Sequence, residues 1–321
     1  MTLSSSRRPL LITQREEIAR DIHWFELRDP QGQALPPFEP GAHVQVQTPC
    51  GLVRPYSLCN DPQDTDRYCI GVKREQHSRG GSVSLIDDAP LGFELEVSAP
   101  MNVFRLDDRA KRAILIAGGI GITPILAMAL HLARQGKPFH VYYLTRDAAG
   151  TAFKSTLQNP PLQGHVTLHH DQGQPEHGFD LWPVLEKPGS LTGTHVYCCG
   201  PAGLMQSVRD MTGHWPNACV HFEHFNARAA QREDDQPFVL VLTDSGTEVT
   251  VPAGQSMLEA ARQVGASIAS SCESGSCGAC KTRLVQGEAD HRDHVLLPEE
   301  RTSWVMPCVS RARGDRLSIQ A

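Results

Sequence analysis

Four cysteines near the end of the chain constrain its fold more than any other feature. Cys272, Cys277 and Cys280 follow the spacing C-x4-C-x2-C, and Cys308 comes after a further 27 residues. This is the spacing of a loop that holds a [2Fe–2S] cluster on four thiolates. Three ligands from one tight loop require the backbone to wrap the inorganic core and aim N–H groups at its sulfurs. Gly275 and Gly278, with Ser274, Ser276 and Ala279, keep that approach open. Structural zinc is the competing reading. Such sites usually pair two close clips, or a clip with histidines. Here one close clip is paired with a single remote cysteine.

The chain's 321 residues, 40% apolar and 21% charged, predict a globular protein of two or three domains. Its formal net charge of −6 argues against a nucleic-acid binder working through a basic surface. No apolar run approaches the ~20 residues of a membrane helix, and the first residues do not lead into a signal-peptide core. The expectation is a soluble cytoplasmic chain with no membrane or nucleic-acid partner. A disulfide framework from its ten cysteines does not fit that compartment.

Residues 1–106 read as β. Short alternating runs at 43–48, 68–72 and 93–97 are separated by turn chemistry at 29–32, 36–37 and 60–62, which predicts an antiparallel β-barrel or sandwich. Gly80 and Gly81, followed by 82–86, predict a glycine turn opening a short helix. The rhythm changes over residues 107–226. Apolar strands at 113–117, 139–144, 166–169 and 195–199 alternate with helices at 124–135 and 202–212, the pattern of an α/β parallel sheet. Residues 227–236 are polar and read as an exposed linker. Residues 237–321 read as a small α+β unit, with a hairpin at 238–251 and a helix at 256–264 that Ser256 is placed to cap.

Three further constellations carry chemistry. Gly118-Gly119-Ile120-Gly121-Ile122-Thr123-Pro124 follows an apolar strand and opens a helix, with Thr123 as expected N-cap and Pro124 as first helical residue. Its glycines let the backbone approach a pyrophosphate, and the helix start favours the negative charge. A bare βα corner is the plainer alternative. Cys198-Cys199-Gly200-Pro201 lies at another strand end on the same sheet edge, where ligands bind. Cys199, Gly200 and Pro201 are therefore candidates for a nicotinamide pocket, against the alternative of a corner with buried cysteines. In the β region, Arg54 offers a planar fork for phosphate, and Tyr56 an aromatic face with a hydroxyl. Ser57, Val72, Lys73, Arg74, Gly80, Gly81 and Ser82 complete the candidate set. Taken alone, this set also fits an ordinary surface strand beside a basic loop.

Arg54-x-Tyr56-Ser57, the 118–124 corner, Cys199-Gly200-Pro201 and the terminal cysteines occur in this order in the phthalate dioxygenase reductase family, which the chain resembles over essentially its whole length. The resemblance is close around 197–201, 208–216, 271–275 and 287–293. It implies an FMN-binding β-barrel, an NAD-binding α/β domain and a C-terminal plant-type ferredoxin domain. It further implies a reductase that feeds electrons from NADH through FMN and a [2Fe–2S] cluster to a terminal Rieske-type oxygenase, docking transiently through the ferredoxin domain and working as a monomer. On this resemblance Arg54, Tyr56, Ser57, Lys73, Gly80, Gly81 and Ser82 hold FMN. Thr123 sits near the flavin ring and Phe225 lies against it. Hydride and electron transfer between cofactors needs no side-chain acid or base, so no general base is assigned among the histidines, and His291 and His294 are read as surface or supporting groups.

The sequence departs from the family pattern at two places. Pro55 fixes φ in the flavin strand and removes a backbone donor. The second nucleotide strand ends in Thr145-Arg146-Asp147 rather than in an acidic residue; Arg146 suits a 2′-phosphate and Asp147 a ribose hydroxyl pair. The residues leave NADH against NADPH open, and the resemblance favours NADH. Glu273, Glu288, Asp290, Asp293, Glu299 and Glu300 form either an acidic docking face or a merely solvated one. A phthalate-like terminal substrate is favoured; a methoxy-aromatic or quaternary-amine oxygenase, or a non-enzymatic redox or zinc-binding protein, are the alternatives.

Overall fold

The computed structural model describes residues 7–75, 80–187, 193–225, 232, 234–275, 277–293 and 295–321. Arg79, Ser276, His294 and most of the 227–236 stretch lie outside these residues. Contacts divide the chain into two compact units, residues 4–223 and, with the first three residues, 224–321.

The first unit opens with an antiparallel sheet. Its strands are β1 (Arg8–Ala19), β2 (Ile22–Arg28), β3 (Ala42–Gln47), β4 (Val53–Ser57) and β5 (Tyr68–Lys73), then, after helix α1 (Gly81–Asp88), β6 (Glu94–Val97) and β7 (Met101–Asn102). The spatial order is β4-β3-β6-β1-β2-β5, with β7 against β3. The two ends of this order meet. Leu58 bridges Ile70, and the Cys59 N–H donates to the Cys69 carbonyl at 2.9 Å. The sheet thus closes into a barrel around Leu10, Phe25, Leu27, Val44, Val46 and Ile70. Pro55 sits on β4 opposite Gln45, at one end of the order, where a missing N–H costs the ladder least. Buried Glu26 is held by Thr13, Arg28 and Arg67 at 2.8, 2.7 and 2.6 Å. Burial pushes its carboxyl up, but these hydrogen bonds prevail and bring it down to about 2.

The same unit continues into a parallel sheet. It runs through β8 (Arg112–Gly118), α2 (Ile122–Arg134), β9 (Phe139–Thr145), α3 (Lys154–Gln158), β10 (Val166–His170), α4 (Trp182–Leu185), β11 (Thr194–Cys199), α5 (Ala202–Met211) and β12 (Val220–Glu223). The order is β10-β9-β8-β11-β12, all parallel. Every residue of β8 after Arg112 is buried, as a strand covered on both faces requires. The barrel and this sheet share a core, since Ile22, Cys59, Cys69 and Phe104 cluster with Leu115, Ile122, Met128 and Tyr143.

The expectation that Thr123 caps α2 is not met. A 3-10 turn over Gly119–Gly121 runs directly into the helix, so Gly121 is the N-cap and the helix starts at Ile122. Thr123 lies inside the first turn, and its hydroxyl donates back to the Ile120 carbonyl at 3.1 Å. Pro124 still falls where its missing N–H has no intrahelical partner to lose.

The second unit is α+β. Strands β13 (Phe238–Leu242) and β14 (Thr247–Val251) form the expected hairpin, followed by α6 (Met257–Gln263), β15 (Thr282–Gln286), β16 (Ala289–Asp290), β17 (Trp304–Val305), β18 (Arg311–Ala312) and β19 (Arg316–Ile319). The sheet order is β14-β13-β19-β15-β17, and β16 pairs separately with β18. Ser256 caps α6 in a reciprocal box with Glu259. Arg232, Asp234 and Gln236 of the 227–236 stretch are exposed, but the Asp235 side chain between them is only 4% exposed and is held by arginines.

Candidate functional site

The cysteine loop lies between α6 and β15, and Cys308 follows β17. Cys280 and Cys308 are buried, while Cys272 and Cys277 are half-buried. The sulfurs stand as two pairs: Cys272 lies beside Cys277 and Cys280 beside Cys308, and each close neighbour pushes the Cys277 and Cys308 thiols well above their ordinary range. The Ser274 N–H points at the Cys272 sulfur and the Ala279 N–H at the Cys277 sulfur, both at 3.4 Å. The Gly275 N–H is directed at Cys308. Gly275 has φ of 75°, and a Cβ there would meet Val309 at 2.7 Å and the Asp293 Cα at 3.2 Å, so glycine is required for the loop to close. Two thiol pairs surrounded by amide donors fit a [2Fe–2S] cluster, each iron taking one pair. A mononuclear site needs converging donors, and among the described residues no three His, Cys, Asp or Glu side chains converge on one point. His291 Nε2 is engaged with the Arg301 carbonyl at 2.9 Å.

In the parallel sheet the two glycine corners interlock. A Cβ on Gly118 would lie 2.5 Å from Pro201 Cδ, and one on Gly121 would lie 2.2 Å from the Cys199 carbonyl oxygen. A Cβ on Gly200 would lie 2.9 Å from the Gly118 backbone. Gly119, with φ of 53°, faces open space. Cys199 is fully buried, and burial followed by the charge of Glu223 raises its thiol far above the usual range, so it is no nucleophile. Sequence reasoning missed Glu223. This carboxylate is buried at the end of β12, with the Ser57 hydroxyl 3.4 Å and the Cys199 thiol 4.0 Å from the same oxygen. The residue type carries no motif; only the pairing of β12 with β11 brings it to Cys199.

Thr123 is buried, and its methyl would touch a Cβ on Gly71 of β5 at 2.7 Å. Thr145 is buried and tied to Thr151 and to His170, both at 2.9 Å. Arg146 is exposed. Asp147 accepts from Arg20 at 2.6 Å and from the Gly150 N–H at 2.8 Å, which leaves only its remaining lone pairs for a ribose.

In the barrel, Arg54 and the start of α1 come together. A Cβ on Gly81 would lie 3.1 Å from Arg54 Cγ and 3.3 Å from its Nε, so the side chain arches over the helix start. Gly80, the N-cap, has φ of 92°, and Ser82 Oγ accepts from the Glu75 N–H at 3.2 Å. A cation beside a helix N-terminus fits a phosphate. The Tyr56 phenol is raised above its ordinary range by burial and stays protonated. Lys73 and Arg74 are spent on Glu75 and Asp87, and Val72 is buried in the barrel. Phe225, the second residue after β12, has 41% of its surface exposed.

Most of the acidic residues read as a docking or solvated face have cationic partners within the unit. Glu273 pairs with Arg262, Glu288 with Arg313, Asp290 with Arg292 and Glu300 with Lys281, while Asp293 is buried and accepts from the Leu296 N–H. These charges are mostly neutralised within the unit, because cations lie opposite them across its loops and short strands.

Residues 240–313 match the 2Fe-2S iron–sulfur cluster binding domain, and residues 115–210 match the oxidoreductase NAD-binding domain. The chain is 53% identical over 311 residues to a phthalate dioxygenase reductase of Burkholderia cepacia, covering 97% of this chain and 96% of that one. It is 48% identical to a phthalate 4,5-dioxygenase oxygenase reductase subunit of Pseudomonas putida, covering 97% and 95%. A solved phthalate dioxygenase reductase, described as a modular structure for electron transfer from pyridine nucleotides to [2Fe-2S], superposes with a TM-score of 0.86. The identity is 52%, and the match covers 98% of both chains.

Proposed function

The chain belongs to the phthalate dioxygenase reductase family, and on that premise we propose that its electrons go to a Rieske-type oxygenase acting on a phthalate-like aromatic ring. It is an NADH-dependent oxidoreductase with FMN and a [2Fe–2S] cluster, and works as the reductase of an oxygenase system. FMN, when bound, supplies the exchange between a donor of electron pairs and a one-electron cluster.

The residues divide this work. Arg54 and the amides of Gly80, Gly81 and Ser82 hold the flavin phosphate, and Tyr56 and Ser57 border the ring system. The 118–121 corner and Gly200–Pro201 take the dinucleotide, with Arg146 and Thr145 at its far end. Glu223 and Cys199 orient Ser57 and close the pocket floor. The family resemblance assigns Phe225 to the flavin. Cys272 with Cys277, and Cys280 with Cys308, ligate the two irons. The domains run 1–106, 107–226 and 237–321, with 227–236 between the last two. The protein is a cytoplasmic monomer that docks transiently through its ferredoxin domain; no described helix is long and apolar enough to cross a membrane.

The observation that carries this reading is the arrangement of the four tail thiols as two pairs with amide donors at their sulfurs. Anaerobic titration of the holoenzyme tests it. NADH should bleach both the flavin and the iron–sulfur absorption, and metal analysis should find iron and no zinc. Zinc in place of iron, or a spectrum that NADH leaves unchanged, refutes it. For the partner, the reductase should support turnover by a phthalate-type oxygenase better than by a methoxy-aromatic one. The reverse order sinks the substrate assignment. Because the acidic side chains are internally paired, moderate salt should alter this delivery little.

A further inference from the structure

The stretch leading into the ferredoxin unit is fastened to it by a buried ionic clasp. Asp235 receives Arg292 through both guanidinium nitrogens, at 2.9 and 2.5 Å, and lies 3.6 Å from Arg311. The three side chains are 4%, 7% and 4% exposed. Arg311 also donates to the Gln236 carbonyl at 3.0 Å and the Gln255 carbonyl at 2.7 Å, and Arg232 reaches Asp290 at 3.5 Å. The clasp leads to the cluster loop: the residue after Arg292 is Asp293, whose Cα stands 3.2 Å from where a Cβ on Gly275 would be. The chain is thus tied down from residue 232 rather than from 237. Releasing residues 232–235 would add up to about 13 Å of reach in an extended chain.

We infer that Asp235 is a positioning residue for internal electron transfer, fixing through Arg292 and Arg311 where the tether ends and how it meets the wall of the cluster loop. The inference rests on reading the chain as a flavin-to-cluster reductase. Each NADH oxidised to NAD+ yields two electrons, and these reach the one-electron cluster singly, so the second leg depends on how the tether presents the cluster unit. Bidentate arginine–carboxylate geometry suits this role, since it fixes direction as well as distance. Removing this carboxylate would take from Arg292 its bidentate partner and leave it only Asp290, while Arg311 would keep its carbonyl partners.

Anaerobic stopped-flow mixing of NADH with holoenzyme carrying Asp235→Asn tests the inference. Flavin reduction should keep its wild-type rate, which also checks the underlying reading, while cluster reduction should slow about tenfold or more, as misplacement of reacting groups does. The iron content and the electron paramagnetic resonance spectrum of the reduced cluster should stay as in wild type, and Asp235→Glu should recover much of the rate. Unchanged cluster reduction in an iron-replete Asp235→Asn protein overturns the inference. So does slowed transfer with an altered cluster spectrum, which would mean that the clasp shapes the cluster and not the tether. If Asp235→Asn fails to take up iron, a four-residue Gly-Ser insertion immediately before Arg232 decides the matter. It lengthens the tether with the clasp intact, so slowed cluster reduction supports the inference and a wild-type rate overturns it.

Discussion

Replacing Gly121 by alanine should damage the nucleotide site through space alone. Gly121 has an ordinary helical φ of −60°, so alanine is not strained in its backbone. Its new methyl, however, would lie 2.2 Å from the Cys199 carbonyl oxygen, 2.5 Å from the carbonyl carbon and 2.9 Å from the Gly200 nitrogen. Unbonded heavy atoms rest at roughly 3.5 Å, so the two βα corners must part by about 1 Å. Cys199 is wholly buried between β8 and β12, and the corner opposite is also backbone, so no flexible side chain can absorb the shift. Overpacking of this kind costs about 1–3 kcal/mol, or roughly 2–10 °C in the melting temperature of a unit this size. A 1 Å displacement at a cofactor-positioning corner should cost about tenfold or more in NADH-driven flavin reduction. Cluster reduction by dithionite, which bypasses the corner, should be unaffected. Gly119→Ala is the informative control. Its Cβ meets nothing within 4 Å, but its φ of 53° penalises any side chain by about 1 kcal/mol, so it should destabilise mildly without displacing the corner. A Gly121→Ala protein with wild-type stability and wild-type flavin reduction would refute the steric argument.

Other substitutions separate the remaining parts. Cys280→Ser should lose the cluster, seen in iron content and visible absorption, while NADH oxidation by ferricyanide stays within about twofold because the first unit has its own core; loss of that oxidation would contradict the division of labour. Arg54→Ala removes a charge-assisted contact worth about 1.5–3 kcal/mol, so FMN should dissociate roughly 10–100-fold more readily in a fluorescence titration, and an unchanged affinity would remove Arg54 from the site. Glu26, depressed from 4.5 to about 2, contributes stability that is present above pH 4.5 and lost as pH falls towards 2. With half-exposed Arg28 and Arg67 as partners, the contribution is about 1–2 kcal/mol, and acid unfolding of Glu26→Gln should show a correspondingly flatter pH dependence over that window. A variant with the wild-type pH slope would show that the depressed carboxyl is not what stabilises the barrel at neutral pH.

The sequence made local chemistry legible and left long-range chemistry hidden. The cysteine loop, both glycine corners and the Ser256 cap depend on residues close together in the chain, and each is found where the spacing placed it. The N-cap of α2, Gly121, lies two residues before the expected cap at Thr123, because the 3-10 turn over Gly119–Gly121 runs straight into the helix. Strand β1 gave no clear signal, since Thr13, Gln14, Glu16 and Glu17 occupy exposed positions and break the alternation. Glu223 and Asp235 were illegible for a different reason. An acidic residue at the end of a short strand, or in a polar stretch, looks solvated until a partner distant in sequence buries it; Ser57 is 166 residues from Glu223 and Arg292 is 57 from Asp235. The partners of several acidic tail residues were hidden in the same way, since Arg262 is 11 residues from Glu273 and Arg313 is 25 from Glu288.

The glycines at the junction of barrel and parallel sheet give that shared core a functional meaning. A Cβ on Gly41 would strike the Phe104 carbonyl oxygen at 2.0 Å and Met128 at 2.9 Å, and one on Gly71 would strike the Thr123 methyl at 2.7 Å. The barrel wall therefore comes close to α2 at these two glycines, within the side-chain core that the two sheets share. Transfer of an electron pair between two ring systems needs them in contact and aligned, so the binding surfaces for the two rings should belong to one rigid body. Close-packed interiors transmit displacement rather than absorbing it. A bulkier residue at Gly71 should therefore impair NADH-driven flavin reduction by pushing on Thr123 at the start of α2. Single-electron transfer makes no such demand on orbital alignment, which is consistent with a cluster carried on a unit with a hydrophobic core of its own.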